Sequence, residues 1–415
     1  MRGPADMHKH PPPAPTHGSE RHRALDALRG LALLGILLAN ILYWSGWLMM
    51  PPALAATFHD ERSLAWIRGV ERFLVEGKFY TLFSMLFGLG GALMMQRLQT
   101  SGHAWERVYY RRMAVLLAIG LLHTLLVWDG DILLLYATLG FLLPWFARQS
   151  DRVLLGSSVV LILLVPLLGQ GLMRAMGWAP GKAVQDMALQ WFQGMGGAPF
   201  GQEVPWLQAV TLADYPKWTV TGTLYSLGLR IESWRIPKVM GIMVLGLWIG
   251  RRLQHGLLSD RRFLVRALIA GALVGIPASA VYALHPESSQ DHWSSTLGTV
   301  PLAIAYAAAF MLAWPRAQRW LGVFAAPGRM PLTNYLTHSV INGIAFFGFG
   351  FGLIGTLSLW QSYGWALALF TGQVMASRWW LQRHEQGPME ALWRRATYRA
   401  SVATRGNGDG LQKTC

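Results

Sequence analysis

The chain contains a single cysteine, Cys415, among its 415 residues. One thiol at the end of the sequence excludes an internal disulfide and a Cys-ligated metal site, and it argues against a catalytic cysteine. Charge is also scarce, because Asp, Glu, Lys and Arg make up 14% of the residues, whereas soluble domains carry roughly 25%. The chain therefore lacks the polar surface of an ordinary cytosolic enzyme, and its 53% hydrophobic content excludes a disordered chain.

Acidic residues are fewer than basic ones, 21 against 36, which gives a net charge of +15. In a soluble protein this balance would favour nucleic-acid binding. In a chain this apolar, we interpret it as basic cytoplasmic loops facing anionic headgroups, and we predict no nucleic-acid partner. The 20 Trp residues, a type enriched at membrane–water interfaces, agree with this interpretation. The main predicted partner is the lipid bilayer.

Long apolar runs recur along the chain, and each approaches the ~20 residues that cross a ~30 Å hydrocarbon core. We predict an all-α, polytopic transmembrane bundle of about ten spans, with a range of about nine to eleven. The first run is longer than a signal-peptide core, so we interpret it as a retained helix rather than a cleaved signal. The predicted spans are 25–50, 79–96, 112–127, 132–146, 153–172, 236–249, 264–284, 297–313, 332–353 and 364–380.

Composition divides the chain into five parts. They are a disordered cytoplasmic tail (1–20), N-terminal transmembrane helices (21–172), a long extracytoplasmic or interfacial segment (173–235), a C-terminal transmembrane domain (236–400) and a disordered tail (401–415). Basic residues gather in alternate loops, which predicts a multi-pass protein of the inner (plasma) membrane with both termini in the cytoplasm.

Three further features have a predicted structural role. Residues 218–234 fit an extra span, a re-entrant segment or an interfacial helix. The 51–78 loop mixes basic and acidic residues, which predicts a small amphipathic outer segment. Two glycine groups favour close helix packing in lipid; they are Gly88, Gly90 and Gly91, and Gly348, Gly350, Gly352 and Gly355.

Charged residues at membrane depth are costly, so each is a candidate functional residue. Asp26 and Arg29 lie three residues apart on one face of the first span, at its predicted cytoplasmic mouth. One interpretation is an ion pair that anchors the helix at the interface. The other is an anion-binding lip, in which Arg29 holds a phosphate or carboxylate and Asp26 orients the guanidinium.

A second group surrounds His123, which lies in an apolar run about one turn before its predicted outer end. Asp129 and Asp131 follow in a very short turn, and Asp131 suits the N-terminus of the next helix. An imidazole near a carboxylate is the minimal set for general-base catalysis at neutral pH. We therefore predict His123, Asp129 and Asp131 as catalytic residues, with a structural capping role for Asp131 as the alternative.

A third group begins at Arg329, on the cytoplasmic side of another predicted span, and includes Asn334 and His338 one helical turn apart. These side chains form either interhelical hydrogen bonds or the wall of a polar cavity. We include Arg329, Asn334 and His338 with Asp26 and Arg29 as predicted substrate- or donor-binding residues. The sequence predicts no metal site and no tightly bound cofactor.

Five stretches occur in order along the chain: LDALRGLALLGILLAN (25–40), EGKFYTLFSMLFGLG (76–90), GLLHTLLVWDGDILLLYATLG (120–140), GRMPLTNYLTHSVI (328–341) and GPMEALWRRATY (387–398). Together they resemble the YeiB-like bacterial inner-membrane proteins, whose C-terminal half is a domain of unknown function. That family is also distantly similar to transmembrane acyltransferases. The resemblance implies an integral membrane protein in which an acyl group passes from a cytoplasmic acyl-CoA, as co-substrate, to a small-molecule, glycan or lipid acceptor in the envelope.

Two other functions fit the same residues. In a transporter or permease of a small solute, the buried imidazole and carboxylates would form a proton relay or a substrate site. In a non-catalytic membrane component, they would serve packing alone.

Overall fold

The computed structural model describes residues 23–398 except 101–104, 254, 286–289 and 291. The predicted tails at 1–20 and 401–415 lie outside the described residues. The described part is all-helical and contains no strand, which confirms the all-α part of the prediction. Its helices are α1 (Arg23–Trp44), α2 (Pro52–Ala55), α3 (Glu61–Leu74), α4 (Lys78–Thr100), α5 (Trp105–Leu126), α6 (Leu133–Gly140), α7 (Leu143–Ala147), α8 (Asp151–Val159), α9 (Val165–Met176), α10 (Pro180–Gly194), α11 (Glu203–Ala209), α12 (Tyr215–Glu232), α13 (Arg235–Leu253), α14 (Arg261–Leu284), α15 (Trp293–Leu321), α16 (Ala325–Arg329), α17 (Pro331–Phe346), α18 (Leu359–Leu381) and α19 (Pro388–Tyr398).

Several of these helices have the length and apolar character of membrane spans. Within the described residues, five helical stretches are long and apolar enough to cross a membrane. They are Arg23–Trp44, Glu61–Thr100, Asp151–Met176, Arg261–Leu284 and Trp293–Arg329. The third joins α8 to α9 through a π-helical turn, Val160–Leu164. The chain is thus a helical membrane protein.

Helix α1 lies at the centre of the bundle. It is apolar around most of its circumference, and it contacts α4, α16, α17 and α18. Glycines permit its closest contacts. A Cβ atom on Gly30 would lie 1.9 Å from the carbonyl oxygen of Phe324, and one on Gly328 would lie 1.7 Å from that of Asp26. The first turns of α1 are thereby held against α16.

Helices α4 and α13 lie side by side and run parallel. A Cβ atom on Gly88 would lie 2.0 Å from the carbonyl oxygen of Met243, and one on Gly246 would lie 2.0 Å from that of Met85. Further along in the same direction, Gly250 meets the next turn of α4. Since backbones this close leave no room for a side chain, the prediction that Gly88 serves close helix packing is confirmed.

The second glycine group is divided between two roles. Helix α17 ends at Phe346, so the predicted span 332–353 is too long. Gly352 and Gly355 adopt positive φ angles of 63° and 73° in the connection to α18. Gly352 and Gly355 therefore serve the turn itself, in a backbone region that other residues enter at a cost. Gly348 does serve close packing, because a Cβ atom on it would lie 2.5 Å from the carbonyl oxygen of Gln208 in α11.

The segment between α9 and α13 is folded into helices. Helices α10 and α12 pair in antiparallel fashion, with Gly181 against Gly228 at one end and the ring of Phe192 against Trp218 at the other. Helix α12 is anchored over the last turn of α5, since the Thr219 hydroxyl donates to the carbonyl oxygen of Leu125 at 2.6 Å. Most of the uncertain stretch 218–234 therefore belongs to α12, which ends at Glu232 and covers the end of α5.

Helix α3 is the amphipathic segment that the 51–78 loop predicts. Asp60 caps it by accepting a hydrogen bond from the backbone N–H of Ser63 at 2.9 Å. One of its faces buries Ile67 and Glu71, and Trp66 on the opposite face is 67% exposed. Helix α3 packs against α14 through the buried face.

The α4–α13 crossing gives a stability prediction. Gly88→Ala places a methyl group against the Met243 carbonyl and should destabilise the protein by about 1–3 kcal/mol, the usual cost of overpacking. Gly90→Ala in the same helix meets no heavy atom within 4 Å and removes a helix penalty of up to ~1 kcal/mol. The unfolding temperature in detergent should therefore fall for Gly88→Ala and stay the same or rise for Gly90→Ala. Equal shifts of the unfolding temperature in the two variants would contradict the close contact between α4 and α13.

Candidate active site

The strongest candidate site is a buried His–Asp pair at the turn between α5 and α6. His123 lies in the last turn of α5, and its Nδ1 is 2.8 Å from Oδ1 of Asp131. The other carboxylate oxygen of Asp131 accepts the backbone N–H of Leu134 at 2.7 Å, which caps the start of α6. His123 is 3% exposed and Asp131 is fully buried. Asp131 thus caps a helix and contacts the imidazole at the same time.

This contact fixes how the imidazole can act. A carboxylate next to Nδ1 keeps the proton on that atom and leaves the lone pair on Nε2. Nε2 of His123 is buried and makes no hydrogen bond to any residue that the structure describes. The rings of Tyr335 and Trp128 flank the imidazole, with centroids 5.4 and 6.4 Å away. An oriented imidazole with an available basic nitrogen is suited to general-base catalysis.

Asp129 is placed differently from Asp131. It lies in the same turn, but its carboxylate accepts a hydrogen bond from the Tyr43 hydroxyl at the end of α1. The Tyr43 oxygen in turn accepts from Nε1 of Trp218 at 2.7 Å. A Cβ atom on Gly222 would lie 2.4 Å from Asp129, so α12 approaches it directly. Asp129 therefore joins α1, α12 and the turn, while Asp131 contacts His123.

Two residues outside the predicted set complete the surroundings of Asp131. The Tyr335 hydroxyl donates to Oδ1 of Asp131 at 3.3 Å and accepts the backbone N–H of Ile132 at 3.1 Å. The guanidinium of Arg230 donates to the backbone carbonyl oxygen of Asp131. The sequence makes both residues candidates, because Tyr335 lies between Asn334 and His338 and Arg230 is charged within an apolar stretch. Neither signal shows that the two side chains meet at Asp131.

Asn334 and His338 face α18. Nε2 of His338 is 2.5 Å from Oε1 of Gln373, and Nε2 of Gln373 donates to the carbonyl oxygen of Asn334 at 3.0 Å. The Asn334 side chain also donates to the Ser377 hydroxyl at 3.1 Å. These contacts are interhelical hydrogen bonds, which is one of the two roles that the sequence predicts for Asn334 and His338. The structure does not bring Asn334 or His338 to His123 within the described residues, although Tyr335 on the same helix reaches Asp131.

The predicted cytoplasmic mouth is assembled from both ends of the chain. Arg29 donates to Asp26 at 3.0 Å and to the carbonyl oxygen of Gly328 at 3.3 Å, which places it beside the start of α17. Arg329 donates to the carbonyl oxygen of Glu385 at 3.1 Å. The structure therefore brings Arg29 and the residues around Arg329 together.

A residue that the sequence does not single out caps α17 at this mouth. The carboxylate of Glu390 accepts the backbone N–H groups of Leu332 and Thr333 at 2.6 and 3.1 Å. This acidic side chain occupies the helix N-terminus, where a bound anion would otherwise be favoured. Among the described residues, no group of three His, Cys, Asp or Glu side chains could hold a metal ion.

Comparisons with known proteins find relatives that this chain matches over nearly their whole length. Residues 251–400 match the family described as "Protein of unknown function (DUF418)". The chain is 31% identical to "Uncharacterized protein YxaH" of Bacillus subtilis (strain 168), over 92% of this chain and 96% of that protein. It is 29% identical to "Uncharacterized protein YeiB" of Escherichia coli (strain K12), over 95% of this chain and 99% of that protein.

The role of Tyr335 gives a second stability prediction. Tyr335→Phe removes a donor to Asp131 and the acceptor of the Ile132 N–H, so both groups stay buried without this partner. We expect a loss of about 1–3 kcal/mol in the free energy of unfolding. Tyr110→Phe, at a ring that is 40% exposed, is the control and should change little. Chemical unfolding in detergent measures both, and equal stability of the two variants would contradict the network.

Proposed function

This chain belongs to the YeiB-like family of DUF418 proteins, and from that premise we propose that it is a transmembrane acyltransferase. It moves an acyl group from a cytoplasmic acyl-CoA to an acceptor in the cell envelope. The observation that carries the proposal is the buried His123–Asp131 pair, with Nδ1 held by the carboxylate and Nε2 left basic. The choice of acyl transfer follows the expectation, drawn from the sequence resemblance, that this family is related to transmembrane acyltransferases.

In this reaction, Nε2 of His123 takes the proton of an acceptor hydroxyl or amine. The oxygen or nitrogen of the acceptor attacks the thioester carbonyl carbon, the C–S bond breaks, and the imidazolium returns the proton to the departing thiolate. Acyl-CoA and acceptor thus become acylated acceptor and CoA. Asp131 stabilises the imidazolium and orients the ring, as in other carboxylate–histidine pairs. Tyr335 and Arg230 hold Asp131 in place.

The donor would enter from the cytoplasmic mouth. Arg29 and Arg329 supply positive charge there, and Asp26 orients Arg29 through the ion pair. The mouth and the base are connected by α17, because Pro331 begins the helix just after Arg329 and Tyr335 lies in its second turn. Asn334 and His338 remain proposed members of the wall along this route. The base is assigned to His123, since Nε2 of His338 is already bonded to Gln373.

The proposal includes an arrangement in the inner membrane of about ten spans with both termini in the cytoplasm. The spans would be α1, α4, α5, α6 with α7, α8 with α9, α13, α14, α15, α17 and α18. The parallel direction of α4 and α13 fits this order, since both would run inward. Helices α10, α11 and α12 would form an outer layer over the end of α5.

Acyl-CoA turnover tests the reaction. The purified protein in detergent is given acetyl- to palmitoyl-CoA, and binding and thiol release are measured. We expect His123→Gln to slow release by roughly 10²–10⁴-fold, the usual contribution of general-base catalysis. His384→Gln is the control, because this exposed imidazole stacks on Trp380 and should leave turnover unchanged.

Two outcomes would overturn the acyltransferase proposal. One is normal turnover by a correctly folded His123→Gln variant. The other is a wild-type protein that neither binds nor cleaves any acyl-CoA, in which case solute uptake by proteoliposomes becomes the next measurement.

Cysteine labelling tests the orientation. In a Cys415→Ser background, Thr356→Cys and Glu385→Cys place single thiols in the exposed connections before and after α18. A membrane-impermeant maleimide should label Thr356→Cys in intact cells and Glu385→Cys only after permeabilisation. The reverse pattern, or labelling of both in intact cells, would show that the proposed orientation is wrong.

A further inference from the structure

A second buried polar region lies at the N-terminal ends of α4 and α13. Lys78 begins α4 and Lys238 lies in the first turn of α13, and their exposed fractions are 0% and 1%. Since the two helices run parallel and cross at Gly88 and Gly246, the lysines lie at the same level. Two ammonium groups are thus buried at the same level of two neighbouring helices.

The nearby carboxylates are occupied by other groups. Glu71 pairs with Arg68 at 3.4 Å. Glu76 accepts hydrogen bonds from the Tyr282 hydroxyl at 3.1 Å and from Gln290 at 2.6 Å. Arg72 lies 4.0 Å from Glu76. These two acidic residues are therefore matched by two arginines.

The lysines themselves have weak partners. Nζ of Lys78 donates to the backbone carbonyl oxygen of Arg72 at 2.5 Å and forms no ion pair with a described carboxylate. The ammonium group of Lys238 has neither a hydrogen bond nor an ion pair within the part of the chain that the structure describes. A charge this deeply buried is normally paired, because desolvation costs several kcal/mol.

Arg235 adds a third cation to the same place. Its guanidinium donates to the side chain of Gln290 and lies over the ring of Tyr80 at 5.3 Å. Its Nε is buried and makes no hydrogen bond to a described residue. Among the described residues, none of these three cationic side chains has a carboxylate oxygen within 4.0 Å, and Glu71 and Glu76 of the same region are paired with arginines.

The helix ends increase this positive charge. The N-terminus of a helix carries a partial positive charge, and basic residues there are unfavourable. The region combines two such termini with Lys78, Arg235 and Lys238. We propose that it binds a phosphate group, whose oxygens would accept from the two ammonium groups and from the guanidinium. This inference does not depend on the acyltransferase proposal.

Binding of phosphate-bearing probes tests the site. The full-length protein in detergent is titrated with inorganic phosphate and, separately, with phosphatidylglycerol, and binding is followed by native mass spectrometry and thermal unfolding. Saturable binding of the lipid alone would identify a headgroup as the ligand, and binding of inorganic phosphate would identify a free anion. Binding of neither probe by the wild-type protein would overturn the proposal.

Variants of Lys238 give the specific test. Lys238→Met should weaken binding by at least about tenfold, which corresponds to one charge-assisted hydrogen bond. Without ligand it should unfold at the same or a higher temperature than the wild type, since an unpaired buried charge has been removed. Lys238→Arg keeps the charge and should retain binding if it folds.

The matched control is Lys217→Met, which removes a half-exposed lysine paired with Asp214. It should bind both probes as the wild type does. If Lys238→Met does not fold, Arg235→Gln tests the same site with a neutral side chain that keeps a donor, and it should also weaken binding. Wild-type affinity in a folded Lys238→Met or Arg235→Gln variant would contradict the phosphate site.

Discussion

The buried carboxylate of Asp131 is the constraint on which the arrangement of the candidate site depends. A fully buried carboxylate is stable only if several donors satisfy it. Here they come from α5, α6 and α17, in the form of His123, the Leu134 N–H and Tyr335. Arg230 of α12 adds a contact to the backbone carbonyl of the same residue. This one residue therefore joins four helices, three through its side chain and α12 through its backbone carbonyl, and it orients the imidazole.

The two buried polar regions, one around Asp131 and one around Lys78 and Lys238, are built in a similar way. Helix α12 contacts Asp131 of the His123–Asp131 pair, and helix α3 contacts Lys78 through the carbonyl oxygen of Arg72. Both helices carry charges toward the interior, Arg230 from α12 and Glu71 from α3, so each supplies part of the polar region that it contacts. Charges at this depth are expensive, and the proposed polar ligands would offset part of that cost at both places.

The sequence predicted where helices form better than it predicted which residues of different helices contact one another. Apolar runs and glycine spacing located α1, α4 and α14, because burial in lipid or in the bundle requires them. The predicted span 332–353 is too long, because the apolar composition continues past Phe346 into the connection to α18, where Gly352 and Gly355 have positive φ angles. The proximity of His123 to a carboxylate was predictable from the short turn that follows α5. The choice of Asp131 over Asp129 was not, because it depends on Tyr43 and α12, which lie far away in the sequence.

The most direct test of the acyl-transfer account is an experimental structure of the protein with a non-hydrolysable thioether analogue of acyl-CoA. The account predicts that the carbon replacing the thioester carbonyl lies near Nε2 of His123, with room between them for the attacking atom at about 3–3.5 Å from that carbon. The analogue's phosphates should lie beside Arg29 and Arg329. An analogue bound with its reacting carbon at α18, or outside the helix bundle, would contradict the role of His123 as the catalytic base.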